Sequence, residues 1–220
     1  MLRSTFSILT LVISLVVASQ PAAPKKKKES VDFRPYEVKV GVNVIRSIRT
    51  FASSDDLTTH EFQTAVAIHK YNVVFDLGVE EHQRGETFAY QNKGSYYRIG
   101  FDRNFTKDKA SGNVLSLGLR YARANFNDQL IYIADQGFGE QSYLLENDAL
   151  AARWLEVAFN LRGRIVSNLY MGFTMRWQFL RQINGEGELK TFDIPGFGKT
   201  KRQNSTSFDY YLAWRVKFRE

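Results

Sequence analysis

The sequence contains no cysteine, only 4 prolines and only 3 histidines among its 220 residues. The absence of cysteine excludes a disulfide-stapled scaffold, a thiolate metal site and a lipidated cysteine. Beyond residue 30 the chain also lacks the run of about 20 apolar residues that a membrane-spanning helix requires. With 44% hydrophobic and 14% aromatic residues, however, the chain is too apolar to be disordered. The length predicts one domain.

The net charge of +7, from 30 Lys and Arg against 23 Asp and Glu, suggests a nucleic-acid-binding protein at first sight. Residues 1–30 hold five of the basic residues, Arg3 and Lys25 to Lys28, but only one acid, Glu29. The rest of the chain therefore has 25 basic against 22 acidic residues. Because most of the excess charge lies outside the expected folded domain, we expect no nucleic-acid partner.

The N-terminal residues have the layout of a secretory signal. Arg3 precedes an apolar run of 12 residues from Phe6 to Val17, and Ala18 and Ser19 supply small residues for cleavage. This run is too short to cross a bilayer core of about 30 Å. We expect residues 1–19 to be a signal peptide, residues 20–34 a polar, Lys-rich N-terminal arm, and residues 35–220 the folded domain.

The mature chain alternates apolar residues with polar or small residues in eight segments. They cover residues 36–44, 62–69, 72–80, 96–102, 115–122, 155–161, 169–179 and 208–218. A period of two is typical of β-strands whose two faces differ. Among the positions of the apolar face, only Thr64 is not apolar. Eight strands are an even number and enough to close a barrel.

The composition of the other face indicates which side faces inward. It contains glycine and alanine, which a crowded interior favours and a water-facing surface does not. It also supplies thirteen charged side chains, which we expect to pair as a polar network in the lumen. These are Glu37, Lys39, Asp76, Glu80, Arg98, Asp102, Arg120, Glu156, Arg162, Arg176, Asp209, Arg215 and Lys217. The sequence therefore predicts a polar interior and an apolar face toward lipid.

The links between the segments alternate in length. Those at 45–61, 81–95, 123–154 and 180–207 are long, whereas the other three are short. Outer-membrane barrels have short periplasmic turns and longer extracellular loops. The predicted fold is an all-β, eight-stranded antiparallel up-and-down transmembrane β-barrel in the outer membrane of a Gram-negative bacterium. A soluble lipocalin-like barrel is the alternative.

Five short motifs, in their order and spacing, resemble a family of uncharacterised outer-membrane barrels known only as a domain of unknown function. They are Gly94-Ser95-Tyr96-Tyr97, Gly118-Leu119-Arg120-Tyr121, Trp154-Leu155-Glu156, Asn168-Leu169-Tyr170-Met171-Gly172 and Ile194-Pro195-Gly196-Phe197. The likeness covers nearly all of the mature chain, and the architecture is similar to small OmpA-type or OmpX-type barrels. The resemblance implies a fold and a location but no activity.

Two of the predicted extracellular loops carry opposite charge. The link 123–154 holds Asp128, Asp135, Glu140, Glu146 and Asp148, and the link 180–207 holds five bases against three acids. The two loops either attract each other over the barrel mouth or present a surface to a partner. Within the second loop, we expect the stretch Ile194-Pro195-Gly196-Phe197 to form a turn that packs on the rim.

The crowded lumen predicts a plugged barrel that acts as a structural or surface-interaction protein of the envelope. A membrane-embedded lipid-modifying enzyme and a narrow pore or transporter are the alternatives. His60 has the parity of the lipid-facing side and His82 that of the lumen, and His69 lies near the periplasmic end of the barrel. Because the three histidines do not converge, we predict no catalytic residue, no metal site and no cofactor, and expect no enzyme. The expected partners are membrane lipid and lipopolysaccharide, the barrel-assembly machinery and an unidentified ligand at the extracellular loops. We expect a monomer.

Overall fold

In the computed structural model, an antiparallel sheet of eight strands closes into a barrel, which confirms the predicted fold class. The structure describes residues 32–52, 57–85, 88–108, 111–135 and 140–218, so the expected signal peptide and most of the arm lie outside the described residues. The elements are β1 (Pro35–Asn43), α1 (Val44–Ala52), β2 (Leu57–Ile68), β3 (Tyr71–Arg84), β4 (Phe88–Asn104), β5 (Val114–Asp135), β6 (Glu140–Val166), β7 (Leu169–Asn184), β8 (Asp193–Ile194), β9 (Gly198–Lys199) and β10 (Asn204–Lys217).

Barrel closure depends on the pairing of the first and last strands. β1 to β6 each pair with the next strand along the chain, and β10 pairs with both β7 and β1. The short strands β8 and β9 form a separate hairpin between β7 and β10. We call this hairpin, with its flanking residues 185–203, the plug.

The two ends of the barrel differ in their connections. At one end, two-residue turns at 69–70 and 167–168 join neighbouring strands, and His69 and Ser167 adopt positive φ values of 55° and 43°. This end, which also holds the start of β1 and the end of β10, is the turn end. The opposite end carries α1 and the plug and is the plug end. Among the described residues, no helix is long and apolar enough to cross a membrane.

The strands extend farther toward the plug end than the alternating apolar pattern predicted. The links expected at 81–95 and 123–154 are largely β-strand, because β4 begins at Phe88, β5 continues to Asp135 and β6 begins at Glu140. The backbone pairing continues there, but outward positions such as Asn125 and Asn127 are polar. The extensions were missed because a pattern that depends on apolar outward residues ends before the strand does.

The polar face of the sheet lies inside the barrel. Along β5, Ser116 and Arg120 are buried, whereas Leu117 and Leu119 are 46% and 56% exposed. The same alternation places Tyr170 and Arg176 of β7 in the interior and leaves Met171 exposed. An interior of charged and aromatic side chains and an apolar exterior are the reverse of a soluble barrel.

Candidate functional site

The centre of the barrel interior is organised around Arg98 of β4. Its side chain is fully buried and donates hydrogen bonds of 2.9 Å to both Glu61 and Glu156. Its remaining nitrogen donates at 2.8 Å to the backbone carbonyl oxygen of Gly196 in the plug. The guanidinium also stacks on the ring of Tyr96, 4.5 Å from the ring centroid. Arg98 thus joins three parts of the barrel wall and the plug.

Arg176 and Arg120 extend the network toward the turn end through a shared carboxylate. Asp76 accepts a hydrogen bond from Arg120 at 2.9 Å and lies 3.4 Å from a nitrogen of Arg176. Arg176 also contacts Asp209 and donates at 2.5 Å to the hydroxyl of Tyr211. Each of these cations therefore meets a carboxylate, as buried charges require.

The lumen at the turn end is also filled. Arg215 donates to Glu37 at 2.5 Å, Lys39 contacts the same carboxylate, and Arg162 donates to Gln63 at 2.5 Å. The cavity lined by Lys39, Gln63, Arg162 and their neighbours measures about 20 Å³. This volume is enough for about one water molecule.

The structure places most of the predicted network residues in the interior. Buried are Glu37, Lys39, Asp76, Arg98, Asp102, Arg120, Glu156, Arg162, Arg176, Asp209 and Arg215. Glu80 is half-buried near the plug end and accepts a hydrogen bond from Gly196 at 3.2 Å. The prediction that Lys217 belongs to the lumen network was wrong, because its side chain is exposed. Lys217 is the last residue of β10 and therefore lies at the end of the barrel wall, opposite Glu37 in the β1–β10 register.

Two charged residues of the network were missed in the sequence. Glu61 was assigned to a link, but β2 begins at Leu57 and places Glu61 in the lumen with the same parity as Gln63. Extending the alternating segment by one residue at its N-terminal end would have found it. Arg46 lies on α1 and pairs with Glu80 at 3.1 Å and Asp209 at 3.0 Å. A strand pattern cannot find a residue on a helix.

Asn43 begins helix α1 and so directs the chain into the barrel mouth after β1. It is the last residue of β1, and its side-chain oxygen accepts a hydrogen bond from the backbone N–H of Arg46 at 3.2 Å, as an N-cap does. Its amide nitrogen donates to Asp209 at 2.7 Å. One buried side chain therefore begins α1 and fixes it to the wall, which directs Arg46 into the network.

The plug enters the barrel through a tight turn at Ile194-Pro195-Gly196-Phe197. The N–H of Phe197 donates to the carbonyl oxygen of Ile194 at 3.0 Å, and Gly196 has a φ of +79°. Proline followed by a glycine of positive φ is typical of a type II turn. A Cβ atom at Gly196 would lie 2.7 Å from the ring of Tyr96, so both conformation and space require glycine.

The apolar residues of the turn lie inside the barrel and not on the rim. Ile194 is fully buried and Phe197 is 3% exposed. The ring of Phe197 meets that of Trp154 edge-on, with 5.7 Å between centroids. The carbonyl oxygen of Gly196 accepts hydrogen bonds from Arg98 and, at 3.1 Å, from Gln178. The predicted turn exists, but the rim position was wrong because Trp154 and Tyr96 offer the turn an apolar pocket within the wall.

Further contacts hold the plug to the strand extensions beyond the buried turn. His82 Nδ1 lies 3.2 Å from a carboxylate oxygen of Asp193, and Asn92 donates to the Asp193 backbone carbonyl at 3.0 Å. His82 lies three residues beyond Val79, the last outward apolar residue of β3. The hydrogen bond with Asp193 raises the pKa of His82 above its usual value. A cavity of about 410 Å³ at the mouth is bounded by Arg46, His82 and Asp193 among others.

The long β5–β6 hairpin and the plug meet through an amide side chain. Asn147 donates to the carbonyl oxygen of Leu189 at 2.9 Å and accepts from the N–H of Gly187 at 2.8 Å. The same amide donates to Asp128, which is buried rather than displayed. Burial raises the pKa of the Asp128 carboxyl. The β5–β6 hairpin and the plug therefore pack together, as expected if the two loops contact each other over the barrel mouth. The contact is made by Asn147, however, and not by opposite charges.

The chemistry of this interior is that of a seal. Most of the buried charged side chains pair with one another, and the carbonyl oxygen of Gly196 in the plug accepts from Arg98 and Gln178. Within the described ranges, no three His, Asp or Glu side chains are grouped as metal ligands. The arrangement fills the lumen from the turn end to the mouth and joins the wall to the plug.

Comparisons with known proteins give a family and a distant structural likeness. No curated protein matches the chain. Neisserial surface protein A (NspA) is similar in structure, with 10% sequence identity and a TM-score of 0.38, over 83% of this chain and 95% of that chain. The model of a domain of unknown function, DUF6048, matches residues 1–219. The chain belongs to this family, the DUF6048 family of unknown function.

Proposed function

We propose that the protein spans a bacterial outer membrane as a sealed barrel and serves the envelope as a structural or surface-interaction protein. The observation that carries this proposal is the combination of an apolar outer face with a lumen filled by paired charges and by the plug. An apolar exterior requires lipid around it. A filled lumen provides no path for solutes.

The height of the apolar face agrees with this proposal. On β3 the outward residues are apolar from Tyr71 to Val79, and the next outward residue is Glu81. Eight residues of a strand tilted by about 40° rise roughly 20 Å. The aromatic side chains of Phe62, Trp177 and Phe208 lie outward toward the plug end. An apolar band of roughly 25 Å with aromatic residues at its borders is the pattern of outer-membrane barrels.

The plug end offers the surface for an interaction. β5 and β6 continue well past the apolar band, to Asp135 and from Glu140. Their outer faces there combine polar residues such as Asn125 and Asn127 with the exposed side chains of Ile131, Ile133 and Leu144. Since short turns of such barrels face the periplasm, the turn end faces inward and this hairpin stands outside the cell. A paired hairpin presents a firmer surface to a partner than an irregular loop does.

Insertion is tested on a detergent gel and by extraction of membranes with carbonate. We expect the unheated protein to migrate differently from the heated protein and to stay with carbonate-washed membranes. A product that is released freely from the periplasm, with the same mobility heated or unheated, would show that the barrel is not in a membrane.

The absence of cysteine makes the orientation testable with single-cysteine variants. Gln141 lies on the hairpin and Lys70 at the turn end, and both are exposed. A membrane-impermeant maleimide should label Gln141→Cys on intact cells but label Lys70→Cys only after the outer membrane is broken. The reverse labelling would mean that the turn end faces outward.

A further inference from the structure

Three arginines stand together on the outer face, just beyond the apolar band. Arg123, Arg153 and Arg181 lie on the adjacent strands β5, β6 and β7, and all three side chains are exposed. Each follows the outward residue that ends the apolar band on its strand toward the plug end, and these residues are Tyr121, Leu155 and Phe179. Exposed Ile131, Ile133 and Leu144 lie farther out, on the β5–β6 hairpin. We call the three residues the rim arginines.

The rim arginines face each other without acidic partners. Arg123 and Arg153 are directly opposite in the β5–β6 register, which brings their Cβ atoms within about 5.5 Å. Like charges in this arrangement destabilise a sheet. In the part of the chain that the structure describes, none of the three forms an ion pair, and the Arg153 guanidinium donates to the Gln182 side chain at 2.9 Å. A bound anion would relieve this repulsion.

A β-bulge adds the third arginine to the cluster. Arg153 pairs with Gln182 but the next residue, Trp154, pairs with Leu180, so Arg181 is the extra residue on β7. A bulge of this kind redirects a side chain, and bulges are frequent next to functional sites. Here the bulge places Arg181 beside Arg153 on the outer face.

Elsewhere on the same rim, two charged residues that lie directly opposite each other on neighbouring strands carry opposite charges. Glu81 and Lys93 are also directly opposite each other, on β3 and β4, and their side chains form an ion pair of 2.9 Å. One cross-strand pair therefore has complementary charges, whereas the pair of Arg123 and Arg153 has like charges. The excess of positive charge is local to β5, β6 and β7.

An apolar row lies directly below the rim arginines. Tyr121 is opposite Leu155, and Leu155 is opposite Phe179. The three side chains are 37–41% exposed. The surface thus has cationic groups above and an apolar floor below, at the level where a lipid headgroup meets its acyl chains.

We propose that the rim arginines bind the phosphate of a phosphate-bearing lipid in the outer leaflet, whose acyl chains pack on Tyr121, Leu155 and Phe179. The forked guanidinium group matches phosphate oxygens in geometry and charge. Basic clusters next to a membrane surface attract anionic lipids. This inference rests on the proposed membrane insertion and names the lipid chemistry that one side of the barrel recognises.

The test measures lipid binding to the detergent-folded, full-length barrel by native mass spectrometry. The probes are diphosphoryl lipid A and the same lipid with both phosphates removed. We expect the wild type to bind the diphosphoryl lipid at least tenfold more tightly than the dephosphorylated one. The variant with Arg123→Gln, Arg153→Gln and Arg181→Gln should lose at least tenfold of this affinity, whereas the control Lys93→Gln should keep it.

Three results would overturn the inference. They are equal binding of the two lipids to the wild type, unchanged affinity in the triple variant, and an equal loss of affinity in Lys93→Gln. Full displacement of the lipid by millimolar inorganic phosphate would also overturn it, since the ligand would then be a soluble anion. A heat-shifted gel band in each sample shows that the barrel is folded, so a wild type without this shift would refute the membrane barrel and not the lipid site.

Discussion

The inward and outward faces of the barrel wall are built from alternate residues of the same strands, yet they stabilise the protein in opposite ways. On the inward face of β4, Arg98 is fully buried and contacts Glu61, Glu156 and the plug. On the outward face of β3 and β5, the side chains of the apolar band are exposed.

The comparison shows that each face is specified by what surrounds it. Charged side chains lie where other charges and the plug form hydrogen bonds with them, and they are absent from the apolar band of the outward face. At the level of the apolar band, the buried charges of the interior are balanced, with six acids and six bases. They are Glu37, Glu61, Asp76, Asp102, Glu156, Asp209, Lys39, Arg98, Arg120, Arg162, Arg176 and Arg215.

The largest expected effect is on the inward face. Arg98→Ala removes the cation between Glu61 and Glu156 and leaves two buried carboxylates without it. We expect a loss of about 3–5 kcal/mol in the free energy of unfolding, measured by urea titration of the barrel in lipid vesicles. The control is Arg103→Ala on the same strand, where an exposed outward arginine should matter far less. Equal losses would contradict the assignment of the two faces.

The next effect is on the outward face. Leu117→Arg places a charge near the middle of the apolar band and should cost about 2–4 kcal/mol in the free energy of unfolding. Ser116→Thr, one residue earlier and inside the lumen, should cost less, unless the methyl group has no room beside Asn160. The same vesicle titration measures both variants. A harmless Leu117→Arg would mean that this face does not contact lipid.

A smaller effect is expected where the plug completes the inward face. Gly196→Ala strains a φ of +79° and directs a Cβ atom at the Tyr96 ring, 2.7 Å away. The expected cost is about 1–3 kcal/mol, seen as faster tryptic cleavage after the exposed Lys190 or Lys199. Gly198→Ala is the control, because it also has a positive φ, +95°, but no atom within 4 Å of the added Cβ. Cleavage no faster in Gly196→Ala than in Gly198→Ala would show that the ring contact does not hold the plug.

The smallest effect concerns pH at the mouth. Because the hydrogen bond with Asp193 raises the pKa of His82 in the folded protein, the pair stabilises the plug fully below the unfolded pKa of about 6.5. This stability is lost as pH rises through the folded pKa. Hydrogen exchange of the plug amides should therefore quicken from acidic to alkaline pH more in the wild type than in His82→Gln. An identical pH profile in the two proteins would exclude this role of His82.

The sequence predicted the fold well because this barrel repeats one rule, apolar outward and polar inward, at every second residue. Leu115, Leu117 and Leu119 against Ser116 and Arg120 show both the strand and its faces. The strand ends were harder, since the outward residues just beyond the apolar band become polar while the backbone pairing continues. Glu61 was missed for this reason, although its parity with Gln63 carried the signal.

The plug was beyond the reach of the alternating pattern. Pro195 and Gly196 predict a turn, but nothing local places that turn against Tyr96 and Trp154, which lie far away in the chain. Arg46 presents the same difficulty, because its partners Glu80 and Asp209 come from two other strands. Local patterns determine strands and turns, whereas the filling of the lumen depends on which distant side chains meet inside it.

The seal itself is tested most directly by the conductance of a planar bilayer that contains the folded wild-type protein. With a lumen filled by paired charges and a cavity of about 20 Å³ near the turn end, we predict no steady current above that of the bilayer alone. The same preparation, checked for its heat-dependent gel shift, supplies the control for folding. A large and steady conductance from the folded barrel would contradict the sealed lumen.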